Sequence, residues 1–213
     1  MDTAIFFRVW RFIRIPLGII LIFFIGLVIY RMPVVIEKQK TEEAVLRIHA
    51  QKITLDDVMG TKLPPEPNRE LNDSTIEGID ANQNGIRDDV ELAIFKEYPN
   101  SAKTRAVLLQ YALALQMEVR QLTLNEDIVN VILEEDSRAG DCIADTLVPR
   151  KSLESSRNYS DIEKIDAYIK FVDERQFNTN ERKTAKKKFY EHMGSYSNSP
   201  KASCDIDTLL LSN

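Results

Sequence analysis

Residues 100–122 read NSAKTRAVLLQYALALQMEVRQL, and in this stretch Leu108, Tyr111, Leu115, Val119 and Leu122 recur every three to four positions. With 3.6 residues to a turn, that spacing lines them along one side of an α-helix. Asn100 and Ser101 stand where a side-chain oxygen can cap the first free backbone N–H groups, and Pro99 ends whatever helix precedes them.

The same pattern continues on both sides. Asp88–Tyr98 reads as a short helix closed by Pro99. Asn125 opens another, with Ile128, Val131, Ile132, Ala139, Cys142 and Ile143 on one side. Ser160 caps the next through Ile162, Ile165, Ile169 and Val172, and a last one over roughly 179–193 carries Ala185, Phe189 and Met193. Each stripe reads as core packing. Only 7 of the 213 residues are glycine, too few for the turns of a sheet protein. The expected fold class is therefore all-α: an N-terminal transmembrane helix, then a bundle-like helical domain with one ion-binding loop.

The N-terminus supplies the anchor. Ile15 to Tyr30 reads IPLGIILIFFIGLVIY, sixteen residues without a charge, flanked by Arg14 and Arg31 and by the interfacial aromatics Trp10 and Tyr30. With its flanks the run approaches the roughly 20 residues that cross a bilayer. A cleaved signal peptide is the rival, but no small-x-small cleavage site follows, and no lipobox-like Cys either. The expected layout is a cytoplasmic tail over 1–12, a transmembrane signal anchor over 13–31 and a membrane-proximal helical segment over 32–59. A Pro-rich extended linker over 60–76 then leads to a helical domain over 77–213. GTKLPPEP at 60–67 cannot stay helical, with three prolines in four positions.

Charge is uneven. Residues 1–31 hold Arg8, Arg11, Arg14 and Arg31 against Asp2 alone, whereas residues 32–213 hold 24 basic and 32 acidic groups, a net −8. An acidic domain argues against nucleic acid, whose phosphates need a basic face. Arginine and lysine also follow the apolar run, so charge alone does not set the orientation.

Residues 80–91 read Asp-Ala-Asn-Gln-Asn-Gly-Ile-Arg-Asp-Asp-Val-Glu. Ca²⁺ is a hard ion that takes six to eight oxygens, so a loop that binds it alternates oxygen-bearing side chains along a tight curl. Asp80, Asn82, Asn84, Asp88 and Glu91 occupy positions 1, 3, 5, 9 and 12 of such a twelve-residue loop, with the Ile86 carbonyl at position 7. Gly85, at position 6, allows the sharp turn. The alternative is a solvated acidic turn that only caps the helix at Asp88. Two asparagines in place of aspartates imply weak binding, on the order of 10⁻⁴ M. Such a site fills outside the cytoplasm, and calcium there is expected to be structural.

This loop resembles EF-hand-like loops, and more closely the bacterial and thrombospondin type 3 variety with its apolar residue at position 7. A standard EF-hand has the apolar residue at position 8, where it pairs with a partner loop; here position 8 is Arg87, which favours a solitary loop. The wider stretch LPPEPNRELNDSTIEGIDANQNGIRDDVE resembles a group of uncharacterised bacterial envelope proteins over about residues 63–120. That resemblance implies a bacterial envelope location; the weak calcium loop and the cysteines below set the expected orientation in the inner membrane, N-terminus cytoplasmic and domain periplasmic.

Cys142 and Cys204 are the only cysteines. An even count in an exported domain suggests one bridge; two buried free thiols are the other reading. No catalytic motif appears, and neither His49 nor His192 sits in a known pattern. The acids Glu134–Glu135–Asp136 and the basic run Arg182, Lys183, Lys186, Lys187, Lys188 read as solvated faces. The sequence thus points to a non-enzymatic interaction module with a protein partner in the envelope. A periplasmic inhibitor or immunity-type protein is one form of it, and an envelope-polymer hydrolase with an acidic site is the rival.

Overall fold

A computed structural model describes residues 3–121, 125–152, 154–197 and 199–213, with side chains for Arg14 and from Pro16 onward. Leu122 of the opening stripe, and the side chains of Arg8, Trp10 and Arg11, lie outside the described residues. Eight α-helices and a single 3₁₀ turn at Thr208–Leu210 make up the described secondary structure, which contains no strand. The all-α expectation holds.

The chain divides into two compact units, Met1–Ala44 and Val45–Asn213. The first is the N-terminal part of α1 (Thr3–Ala50). Its residues Leu17 and Ile19–Ile25 are all exposed. Mean hydropathy reaches 2.6 over its most apolar window, and α1 is the one helix among the described residues long and apolar enough to cross a membrane. A sixteen-residue uncharged run in a hydrogen-bonded helix meets both demands of a bilayer interior, apolar side chains and internally paired backbone.

The second unit starts earlier in the chain than the sequence suggests. Residues 45–59 of the expected membrane-proximal segment and residues 60–76 of the expected linker fall within it. Ile48, at the end of α1, is 1 % exposed, and Ile53 and Val58 are buried beside it. A reciprocal Thr54–Asp57 capping box starts α2 (Leu55–Met59). Within the expected extended stretch, Asn68 caps α3 (Arg69–Asp73) by accepting the Leu71 N–H at 3.0 Å. The prolines exclude helix only through Pro67, and a good N-cap follows at once.

The core is built around α5 (Ala102–Val119), buried at every position except Lys103. Helices α4 (Asp88–Glu97), α6 (Glu126–Leu147), α7 (Tyr159–Gln176) and α8 (Asn180–Tyr190), with α2, all pack against it. The one-sided stripe therefore understates its burial. Ala106, Ala112 and Ala114 between the large residues let neighbours approach the other faces. Its buried polar side chains hold loops: Arg105 donates to the carbonyls of Val58, Tyr98 and Pro99. Gln110 donates to Ser203 O at 2.8 Å, and Gln116 to Glu77 O at 2.8 Å.

Ser101 and Asn125 cap α5 and α6 where the sequence places them. The cap of α7 is Asn158 rather than Ser160, because Asn158 forms a reciprocal capping box with Asp161. Two expected core residues are exposed, Ile162 at 46 % and Met193 at 52 %. Cys142 on α6 and Cys204 in the C-terminal tail stand at disulfide distance, their Cα atoms 5.0 Å apart.

Candidate calcium site

The loop at 80–91 is curled by its own side chains. Asp80 accepts the N–H groups of Asn84 and Gly85 at 3.1 and 3.0 Å on its two carboxylate oxygens. Asn82 Oδ1 accepts the Asn84 N–H at 3.4 Å, and Asn84 Oδ1 accepts that of Ile86 at 2.9 Å. Asn and Asp favour such turns because their short side chains reach a backbone N–H two residues on. Gly85 has φ +91°, and a Cβ there would fall 2.4 Å from Gln51 Nε2 and 2.7 Å from Leu113 Cδ1. Conformation and space both require glycine at this point.

Two further carboxyls close the loop from α4. Asp88 and Glu91 are each 1 % exposed. Both Asp88 oxygens accept the Ala81 N–H, at 3.0 and 3.2 Å, and Glu91 Oε2 accepts Asn82 Nδ2 at 3.0 Å. Burial pushes the Asp88 carboxyl up. It also pushes Glu91 up to about 7, with the Asn82 and Asn84 amides opposing and Asp57 and Asp88 adding repulsion. Hydrogen bonds thus link Asp80, Asn82, Asn84 and Glu91, while Asp88 holds the backbone N–H of Ala81, between Asp80 and Asn82. The Ile86 side chain packs into the core at 0 % exposure.

Among the described residues, no group of three or more His, Cys, Asp or Glu side chains is placed to hold a metal by itself. The donors in this loop are a mixture of carboxylates and asparagine amides, together with the position-7 carbonyl. That all-oxygen set suits a hard cation and offers nothing soft enough to favour zinc. A solvated capping turn fits less well, because Asp88 is buried rather than solvated.

Arg87, the residue that departs from the EF-hand pattern, has a role the sequence does not reveal. It is fully buried and donates to the carbonyls of Arg175 and Gln176 at 2.5 and 3.0 Å, while Asp89 pairs with it at 2.5 Å. The last carbonyls of a helix lack intrahelical donors, so a guanidinium there closes α7. The residue that a paired EF-hand spends on a partner loop here fixes the loop to a helix of its own domain.

The charged runs are not simply solvated faces. Glu135 is buried, accepting Arg138 Nε at 2.8 Å, Lys201 Nζ at 2.7 Å and a contact from His49 Nδ1 at 3.1 Å. Those partners hold its carboxyl below the usual range despite burial. Arg138 also pairs with Asp205 at 2.7 Å, tying the tail to α6. Arg182 is fully buried, bonded to Asp73 at 2.7 Å and to the carbonyls of Asn72, Thr75 and Ile76. Lys186 pairs with Asp173 and lies 4.3 Å from the Phe177 ring centroid. Glu118 on α5 is 2 % exposed, and burial with nearby Asp136 pushes its carboxyl up to about 8. Its only local signal is a lone acid between Met117 and Val119.

Compared with protein-family models, with curated proteins and with solved structures, the chain matches none.

Proposed function

We propose that this chain is a membrane-anchored calcium-binding helical protein of the bacterial envelope. Its domain lies on the periplasmic side and acts as a non-enzymatic interaction module, and Ca²⁺ has a structural role at Asp80–Glu91. One observation carries the reading: Asp80, Asn82, Asn84 and Glu91 of the twelve-residue pattern are linked by hydrogen bonds around a glycine with positive φ, and Asp88 holds the Ala81 N–H of the same loop. Asp80, Asn82, Asn84, the Ile86 carbonyl, Asp88 and Glu91 would hold the ion, which would supply charge neutralisation and nothing catalytic. Two buried acids, Asp88 and Glu91, are held above their usual range chiefly by burial, and a cation among them would favour their charged forms. The raised acid of α5 does not support a polymer hydrolase, because Glu118 is 2 % exposed and out of a polymer's reach.

The test is a calorimetric Ca²⁺ titration of the full chain in neutral detergent, with Mg²⁺ as control. Saturable one-to-one binding is expected, with a Kd on the order of 10⁻⁴ M and lost in Glu91→Ala. Absence of binding at ten times that concentration, or an unchanged affinity in Glu91→Ala, overturns the assignment.

A further inference from the structure

One wall of the loop borders a cleft of about 440 Å³ lined by Arg47, Ala50, Gln51, Met117, Arg120 and Gln121. Among the described residues the lining holds two guanidiniums and two amides and no carboxylate, on a domain (residues 45–213) whose net charge is −7. Arg47 is exposed and makes no ion pair among the described residues. Arg120, at the C-terminal end of α5, has one acidic partner among them, Asp80 at 3.3 Å. Asp80 is position 1 of the calcium loop. Gln51 touches the same loop, since it is the atom group nearest a Cβ built on Gly85.

We propose that this cleft binds a phosphate group between Arg47 and Arg120, and that calcium in the neighbouring loop strengthens the binding by releasing Arg120 from Asp80. Guanidinium forks match the tetrahedral oxygens of phosphate, and side-chain amides add neutral donors. The volume is that of a small-molecule site, large enough for a phosphate with a substituent. Without a cation in the loop, Arg120 is the counter-charge of Asp80 and is only partly free for an anion. A divalent ion on Asp80 takes over that role, and the cleft then presents two uncommitted positive charges. By linkage, phosphate in the cleft raises calcium affinity by the same factor. The calcium dependence rests on the reading of the loop given above; the cleft itself does not.

The experiment titrates methyl phosphate into the full chain in zwitterionic detergent, with and without saturating Ca²⁺. Binding is expected to be about fivefold tighter with calcium, a coupling at the low end of the usual range. Arg47→Gln and Arg120→Gln should each abolish it. Asp80→Asn separates the two ideas, because it removes the calcium ligand and the hold on Arg120 together. Calcium-free Asp80→Asn should bind the probe as tightly as the calcium-loaded wild type. If wild type takes no calcium yet Asp80→Asn outbinds it, the loop reading falls and the cleft stands. If calcium binds but the probe does not, or if both arginine variants bind it like wild type, the cleft is refuted. A repeat in nanodiscs identifies the source of the phosphate. Probe binding blocked by anionic phospholipid but not by zwitterionic lipid assigns a lipid headgroup, and binding unaffected by either assigns a soluble phosphate.

Discussion

Replacing Glu118 with glutamine removes one ionisable group from the core while leaving an oxygen for Tyr190. Tyr190 donates to Glu118 Oε1 at 3.4 Å, and Oε2 is buried without a partner. Burial first, then Asp136, push this carboxyl from its ordinary 4.5 up to about 8, with Lys186 pulling the other way. A group held neutral in the folded state adds stability that is fully present below about pH 4.5 and lost as pH rises through about 8. Converted at 1.36 kcal/mol per pH decade, the ceiling is about 5 kcal/mol, and relaxation with water entry leaves about 2. Asp136, pushed up to about 6 chiefly by burial, adds a smaller loss beginning at lower pH.

Urea unfolding followed by circular dichroism, at about pH 5, 7 and 9 and in chelator to keep the loop cation-free, measures this directly. At about pH 5 the wild-type carboxyl is largely protonated, and Glu118→Gln should match wild type closely. Towards pH 9 the variant should be the more stable by about 2 kcal/mol. The informative quantity is the difference between the two proteins as a function of pH, since groups that do not interact with Glu118 cancel in it. A difference that stays flat from acid to base, or a variant less stable everywhere, refutes the assignment of Glu118 as a buried neutral acid.

Two further perturbations test the scaffold. Gly85→Val forces a β-branched residue into φ +91° against Gln51 and Leu113 and should lower stability by about 3 kcal/mol, read as a fall in Tm with or without calcium. Replacing both Cys142 and Cys204 with alanine opens a loop of 62 positions, worth about 4 kcal/mol by chain entropy, so the urea midpoint should fall to that of the reduced wild type. An unchanged midpoint would mean the bridge does not form in the folded protein.

What the sequence reveals here is what is local. The starts of α5 and α6 can be read because Ser101 and Asn125 bond to N–H groups three residues on. The ion-loop pattern can be read because all its donors fall within twelve positions. The charged runs mislead because their partners are remote: Arg182 meets Asp73 across 109 positions, and Glu135 meets Lys201 across 66. No window of sequence contains both members of such a pair, so each charge reads as solvated. The all-round burial of α5 escapes for a related reason. Periodicity reports the large apolar residues, and alanines and glutamines on the remaining faces carry no such signal.

The two fully buried arginines hold the proposed solitary loop in shape. In paired EF-hands, the second loop holds the first in shape through backbone contacts at position 8. Here the chain entering the loop is held by Arg182 of α8, which gathers the carbonyls of Asn72, Thr75 and Ile76. The loop's own position 8 is held by Arg87, which closes the end of α7. Both ends of the segment are therefore fixed to α7 and α8, and position 80 begins only four residues beyond Ile76. Arginine can do this where a shorter side chain cannot, since five donors on one rigid plane satisfy several carbonyls at once. The scaffold orders this backbone with no ion present, so a cation bound there as proposed would act on side-chain oxygens rather than fold the segment. Weak intrinsic donors such as Asn82 and Asn84 are compatible with that division of labour, because less of the ion's binding energy is spent on ordering the chain.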